Sequence, residues 1–258
     1  MQDIRKAIEK YLSKMQESHP GQKAWDGFRC VLFDMDGVLY NSMPHHAIAW
    51  QKSMAQFGIT MTAADAYATE GARGIDTIRQ FFRQQKHQDI SLDEAQKMYD
   101  VKTHIFHAMG DARIFPGVKE LMQAITDDGL SVGVVTGSGQ RPLIDKLLVD
   151  FGDYLVREHI TSAYDVKRGK PYPDPYLQGM RKAGYADPRQ AIVVENAPLG
   201  VRAGKAAEMF TVAINSGPLP DKALTDEGAD VLYPSIEAFL ADWPEVIGYR
   251  KVTCCLYI

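Results

Sequence analysis

Short apolar runs recur along this chain, separated by longer stretches in which apolar residues return every three or four positions. The runs lie at residues 30–33, 130–135, 191–194, 210–214 and 231–233, with a weaker one near Ile160. Their composition is typical of strands that are buried on both faces of a parallel sheet. Between the runs, apolar residues recur every three or four positions, which indicates amphipathic helices. Strands that alternate with helices predict an α/β fold with a Rossmann-like parallel sheet core.

One long stretch after the first strand contains helical patterns alone. Asn41 and Ser42 can cap a helix at residues 44–57. Further helices are predicted at residues 63–69, 75–87 and 92–109. No strand pattern interrupts them, so we predict an all-helical cap domain that is inserted into the core.

The remaining helices and the ends of the chain complete the predicted organisation. Core helices are expected at residues 118–126, 142–149, 175–183, 200–207 and 236–243. We divide the chain into an N-terminal extension at 1–27, a core domain at 28–43 and 112–249, a cap domain at 44–111 and a tail at 250–258. The tail is apolar, and we predict an edge strand there.

The N-terminal extension contains an amphipathic helix whose apolar stripe runs from Ile4 to Met15. A cluster of turn residues at 18–21 ends it. We expect the stripe to pack on the core of a monomer. A dimer formed through this helix is the alternative.

Composition excludes several classes of function. The net charge of −4 and the even spread of Lys and Arg give no surface for nucleic acid. No apolar run approaches the roughly 18 residues of a membrane span, and the N-terminus is charged where a signal peptide would be apolar. Cys30, Cys254 and Cys255 build no disulfide framework. We therefore expect a cytoplasmic protein with no membrane partner.

Two carboxylates follow the first strand directly. Asp34 and Asp36 stand at its carboxyl end, where open parallel sheets bind ligands. Acids this close repel each other unless a divalent cation or a raised pKa intervenes. The pair indicates either a metal site or a nucleophile with an acid/base partner, although Asp and Gly are also ordinary turn residues.

Three other polar clusters are expected at the same edge of the sheet. They are Thr136 to Ser138, Lys170, and Glu195 with Asn196. A carboxylate can attack phosphorus, a second can protonate the leaving oxygen, and hydroxyl, amide and ammonium groups can hold phosphoryl oxygens. The combination is typical of phosphoryl transfer.

Four motifs carry a resemblance to a known family. They are FDMDGVL at 33–39, VTGS at 135–138, GKPYPDPYL at 169–177 and VENAPLGV at 194–201. With them the chain resembles the haloacid dehalogenase superfamily, specifically its β-phosphoglucomutase-like members with a helical cap after the first strand. The resemblance covers residues 28–240.

The resemblance implies roles for the clustered residues. Asp34 would be the nucleophile that forms an aspartyl-phosphate, and Asp36 the general acid and then base. Thr136, Gly137, Ser138 and Lys170 would hold the phosphoryl group. Mg²⁺ would take Asp34, the backbone carbonyl of Asp36 and the motif of Glu195 and Asn196. His46 stands where related proteins carry a histidine at the cap hinge, and we include it in the substrate site.

One position departs from the family pattern. Asn196 replaces the usual second acid, so the metal site loses one negative charge. The cap loop TEGARG at 69–74 offers Glu70 as an additional ligand and Arg73 as a substrate-binding cation. This loop resembles that of members that hydrolyse inorganic pyrophosphate more than that of mutases.

Three functions remain open at this point. The first is a Mg²⁺-dependent phosphohydrolase of a small compound such as inorganic pyrophosphate or a sugar phosphate. The second is a phosphomutase of the β-phosphoglucomutase type, which shares the first chemical step. The third is a non-enzymatic phospho-acceptor module, which the inserted cap disfavours.

Overall fold

A parallel sheet of six strands forms the centre of the computed structural model, which describes residues 3–255, with side chains through residue 249. The strands are β1 (Cys30–Phe33), β2 (Ser131–Val135), β3 (Ile160–Thr161), β4 (Ala191–Glu195), β5 (Phe210–Ile214) and β6 (Val231–Tyr233). Their order across the sheet is β3-β2-β1-β4-β5-β6, and every pairing is parallel. The predicted fold class is confirmed.

Helices flank this sheet and form the inserted cap. They are α1 (Ile4–Ser18), α2 (Met43–Gln56), α3 (Ala63–Ala68), α4 (Gly74–Lys86), α5 (Leu92–His107), α6 (Val118–Asp127), α7 (Arg141–Phe151), α8 (Asp174–Lys182), α9 (Pro198–Ala206), α10 (Lys222–Thr225) and α11 (Ile236–Cys255). Helices α1, α6, α7 and α11 contribute to the hydrophobic cluster on one face of the sheet, and α8 and α9 to the cluster on the other.

The central strand β1 sets the alignment of the functional edge. Val31 and Phe33 pack into one of these clusters, and Cys30 and Leu32 into the other. Phe33 is paired in register with Val134 of β2 and with Val194 of β4. Because these parallel strands end at nearly the same level, the residues that follow them meet at one edge of the sheet.

Helices α2 to α5 form the inserted cap. They enclose a hydrophobic cluster of their own, which includes Trp50, Met54, Ile78 and Phe81. A separate core of this kind is what a helical insertion needs, because it cannot bury its apolar faces in the sheet. The domain boundaries drawn from the sequence stay a prediction.

The N-terminal stripe packs within the chain, as expected. Ile4, Ile8, Tyr11 and Met15 are buried in the cluster that also contains residues of α11. The stripe is therefore covered by the chain's own core, and the oligomeric state stays a prediction. None of the helices in the described residues is long and apolar enough to cross a bilayer.

The last helix is longer than the sequence indicated. The sequence predicts a helix that ends at Trp243 and an edge strand in the tail at 250–258. Instead α11 continues through Pro244 to Cys255, so the predicted strand is wrong for 250–255, and 256–258 lie outside the described residues. An interior proline costs about 3 kcal/mol. Burial of Val246 and Ile247 contributes roughly 1.5–3 kcal/mol each and offsets that cost.

Candidate active site

Lys170 joins two of the predicted clusters. Its ammonium donates to Asp34 Oδ1 at 2.5 Å, to Glu195 Oε1 at 2.6 Å and to the carbonyl of Val135 at 3.0 Å. Burial opposes the charge on this side chain, yet the carboxylates of Asp34 and Glu195 raise the pKa of Lys170 above its ordinary value. The lysine is therefore a fixed cation between two buried acids.

Glu195 is fully occupied by protein donors. Its Oε1 accepts from Lys170 and from the Tyr176 hydroxyl at 2.7 Å, and its Oε2 accepts from the amides of Asn196 at 2.9 Å and Ala197 at 3.1 Å. A carboxylate offers about four lone-pair positions, and all are taken here. This geometry makes Glu195 a residue that positions Lys170, and it leaves no free oxygen for the predicted metal contact.

Two other buried oxygens do lack partners. Asp34 Oδ2 and Asn196 Oδ1 accept no hydrogen bond from any described residue. Leaving such an atom unsatisfied costs about 1–3 kcal/mol, which a bound group would relieve. Carboxylate and amide oxygens are the donors that Mg²⁺ prefers, so these residues fit the predicted metal. However, residues 3–249 contain no group of three or more His, Cys, Asp or Glu side chains that is arranged to hold a metal ion.

The protonation of Asp34 depends on whether a cation is bound beside it. Burial raises the pKa of the Asp34 carboxyl to about 7, and the carboxylates of Glu195 and Asp36 add to the rise while the Lys170 ammonium opposes it. A cation at Oδ2 would favour the ionised form, which is the form able to attack phosphorus.

Asp36 is held from the cap hinge. Its Oδ1 accepts from the Ser42 hydroxyl at 2.5 Å and lies 3.1 Å from His46 Nε2. Burial would raise the pKa of Asp36, but the contacts with His46 and Ser42 lower it below the ordinary value. Ser42 is the N-cap residue of α2, yet its hydroxyl serves Asp36 and makes no cap hydrogen bond. His46, predicted to bind substrate, contacts this acid.

Lys102 is a buried cation that the sequence analysis missed. Its ammonium lies 2.6 Å from His46 Nδ1 and 5.2 Å from the centre of the Trp50 ring. Burial lowers the pKa of Lys102 to about 8, although Glu70 and Asp36 oppose the shift. The sequence contained a signal for this burial. Lys102 lies seven positions after Ala95 and four before Phe106, a spacing that places it on the apolar face of α5.

The cap lies closed over the phosphate-binding residues. A Cβ added at Gly137 would stand 2.6 Å from the carbonyl oxygen of Gly71, and one added at Gly71 would stand 3.1 Å from Lys170 Cδ. The adjacent Glu70 is brought near the acid pair. Burial raises the pKa of Glu70 to about 8, and the Asp36 and Asp34 carboxylates add to the rise. This placement is compatible with Glu70 as an additional ligand, which stays a prediction.

The remaining predicted residues divide into two groups. Thr136 and Ser138 are buried at the end of β2, and Thr136 Oγ1 accepts from the Ser138 amide at 3.0 Å. Together with Gly137 they lie where a phosphoryl group is expected. Arg73 does not join them, because its guanidinium pairs with Asp76 at 2.7 Å and lines a neighbouring cavity between cap and core. Its predicted contact with substrate requires this pair to open.

Sequence comparison agrees with this geometry. A family model described as haloacid dehalogenase-like hydrolase matches residues 31–214. The chain belongs to this family. Hexitol phosphatase A of Escherichia coli (strain K12) is 31% identical over 192 residues, which are 73% of this chain and 84% of that protein. Glycerol-1-phosphate phosphohydrolase 2 of Saccharomyces cerevisiae is 30% identical over 233 residues and is covered, like this chain, to 86%.

Solved structures of haloacid dehalogenase-like proteins share the fold. One is described as "Putative beta-phosphoglucomutase from Bacteroides vulgatus", with a TM-score of 0.88 and 39% sequence identity over 96% of this chain and 98% of that chain. The resemblance to β-phosphoglucomutase-like members is thus confirmed. The closer likeness to members that hydrolyse pyrophosphate stays a prediction.

Proposed function

We propose that this protein is a Mg²⁺-dependent phosphohydrolase that cleaves a small phosphorylated compound through an aspartyl-phosphate on Asp34. One observation carries the proposal. Asp34 is held at one oxygen by the Lys170 ammonium, while its other oxygen is buried without a partner among the described residues. The phosphatase names of the two sequence relatives support the same reaction class.

The residues divide the chemistry between them. Asp34 attacks the phosphorus atom as the bond to the leaving oxygen breaks. Asp36 gives that oxygen a proton, so its carboxyl has to be protonated when substrate binds, although its contacts with His46 and Ser42 lower its pKa. Asp36 then takes a proton from water, whose oxygen attacks phosphorus and releases phosphate from Asp34. Thr136 Oγ1 accepts a hydrogen bond from the Ser138 amide, so the proton of the Thr136 hydroxyl is free to form a hydrogen bond with a phosphoryl oxygen.

Charge compensation is the second requirement of this reaction. Asp34 Oδ2, Asn196 Oδ1 and the backbone carbonyl of Asp36 would hold Mg²⁺, and Glu70 would join them from the cap. Bound there, the ion offsets the repulsion between an anionic nucleophile and an anionic substrate. Lys170 contributes a fixed positive charge to the same end.

Inorganic pyrophosphate is the substrate that we favour. In the cavity beside Asp36 and Glu70, the centre of a water molecule can occupy a volume of only about 30 Å³. The closed cap therefore suits a compact leaving group. The leaving group of pyrophosphate is itself a phosphate, whose charge Lys102 and the metal ion can offset. Sugar and glycerol phosphates are the next candidates, because the relatives are named for them.

A phosphomutase is the second candidate function. It is favoured by the name of the similar Bacteroides vulgatus structure and by the closed cap, which limits the access of water. Conversion of β-glucose 1-phosphate to glucose 6-phosphate without release of phosphate would identify this activity.

Phosphate release tests the proposal. Pyrophosphate, glycerol phosphates and hexose phosphates are assayed with Mg²⁺ and with EDTA, for wild type and for Asp34→Asn. We expect release only with Mg²⁺ and a fall below about a hundredth in the variant, because an amide cannot attack phosphorus. Asp26→Asn, before the amino end of β1, is the control and should retain full activity. Substantial turnover by Asp34→Asn would contradict the assignment of the nucleophile.

A further inference from the structure

Two cavities between cap and core share a wall. The smaller one, of about 30 Å³, is lined by Asp36 and Glu70. The larger one has about 470 Å³ open to the centre of a water molecule and is lined by Thr103 and Gln140 among others. Three residues line both cavities, namely Gly74, Tyr99 and Gly137. Two of the three are glycines, which have no side chain beyond hydrogen. Among these three shared residues, the ring of Tyr99 is therefore the side chain that separates the two cavities.

The ring of Tyr99 is held from both domains. It projects from α5 of the cap and lies directly over Gly74, where an added Cβ would overlap the ring. The Lys102 ammonium lies 5.7 Å from the ring centre. From the core, Gln140 Nε2 donates to the phenol oxygen at 3.4 Å. The ring therefore spans the junction of cap and core.

The larger cavity offers a polar wall for a leaving group. Gln140 is 6% exposed, and its Oε1 accepts no hydrogen bond from any described residue. A buried acceptor of this kind is satisfied by a hydroxyl donor. Arg73, a cation in the lining of this cavity, already forms an ion pair with Asp76. This wall suits a neutral hydroxylated group better than a second phosphate.

We propose that Tyr99 is a gate that sets the size of the leaving group. With the ring in place, the chamber beside Asp36 takes only compact groups. With the ring displaced, the two cavities join, and a polyol or sugar can extend into the larger one. There, Gln140 Oε1 accepts a hydrogen bond from one of the hydroxyl groups of the polyol or sugar. This inference rests on the proposed function, because it concerns the substrate of the same site.

Binding measurements test the gate without requiring turnover. Dissociation constants are measured by calorimetry with Mg²⁺ for two probes, inorganic phosphate and a non-hydrolysable phosphonate of a six-carbon polyol. Tyr99→Ala should tighten the phosphonate about tenfold relative to phosphate, a magnitude typical of steric discrimination in a pocket. Tyr99→Phe should remain close to wild type, because it keeps the ring.

Two further variants control for folding and position. Gly74→Ala forces the ring aside without removing it and should shift the same ratio in the same direction. Val149→Ala removes an exposed side chain of α7 that lines neither cavity, and it should leave the ratio unchanged. An unchanged ratio in both Tyr99→Ala and Gly74→Ala would overturn the gate. A wild type that releases no phosphate from any substrate would instead overturn the proposed function, and the binding ratios would still decide the gate.

Discussion

Replacing Lys170 by alanine would remove the cation that joins two buried carboxylates. The side chain is 1% exposed, and its partners Asp34 and Glu195 are 3% and 0% exposed. Lys182 provides a matched comparison, since it too contacts a carboxylate, Asp165 at 2.7 Å, and a backbone carbonyl, Ile160 at 2.6 Å. The main difference between them is burial, because Lys182 and Asp165 are 22% and 29% exposed, although Lys170 also contacts a second carboxylate.

The expected loss follows from that difference. Removing one partner of a buried ion pair costs about 3–5 kcal/mol, whereas an exposed pair contributes about 0–1 kcal/mol. Protonation limits the loss, because a carboxyl with an ordinary pKa near 4 takes up a proton at pH 7 for about 4 kcal/mol. That limit falls by about 1.4 kcal/mol for each unit of pH. A carboxyl whose pKa is raised in the folded state destabilises the fold fully above that pKa. The penalty shrinks as the pH falls towards the unfolded pKa and vanishes below it, so acid should rescue the variant.

Denaturant unfolding in EDTA checks these numbers. At pH 7 we expect Lys170→Ala to lose about 3–5 kcal/mol of unfolding free energy and Lys182→Ala at most about 1 kcal/mol. At pH 5 the deficit of Lys170→Ala should shrink to about 1–2 kcal/mol. Equal losses for the two lysines, or a deficit that grows as the pH falls, would refute the assignment of Lys170 as the buried cation that stabilises the Asp34 and Glu195 carboxylates.

Two further predictions concern the cap and the support of Lys170. Glu70→Ala should lower pyrophosphate turnover at least about tenfold more than turnover of an aryl phosphate, which needs no closed cap, and equal losses in a phosphate-release assay would argue against Glu70 as a ligand. Gly200→Ala should cost about 1–3 kcal/mol in denaturant unfolding and most of the activity, because the new Cβ overlaps the Glu195 carboxylate. Gly248→Ala, whose Cβ would lie 3.7 Å from its nearest neighbour, Arg5 Nη2, is the control and should keep both.

The sequence was sufficient for the elements that position the site. The bounds of β1, β5 and β6 agree with the apolar runs, because strands buried on both faces consist mostly of apolar side chains. Contact between Asp34, Lys170 and Glu195 followed from parallel topology, which gathers the carboxyl ends of the strands at one edge. These inferences depend on local composition and on one general rule of connection.

The parts that sequence reasoning missed depend on contacts between distant residues. A lysine within a helix reads as a surface residue, so the burial of Lys102 against His46 was not expected. The hydroxyl of Ser42 serves Asp36 although its position suits a helix cap. Helix α11 passes Pro244 because residues beyond it are buried in the core. In each case packing or a buried charge outweighs the local preference that the sequence displays.

The packing of α1 against α11 has a consequence for the order of folding. Arg5 of α1 forms an ion pair with Glu245 of α11. In the segment that follows α1, the ring of Trp25 lies 6.0 Å from that of Tyr249. The ribosome makes α1 before α11, so the apolar stripe of α1 lacks this partner until α11 has been synthesised. Contacts of such large sequence separation slow folding and leave apolar surface open to aggregation in the meantime. Until α11 is made, the apolar stripe of α1 is therefore a surface that a chaperone can cover.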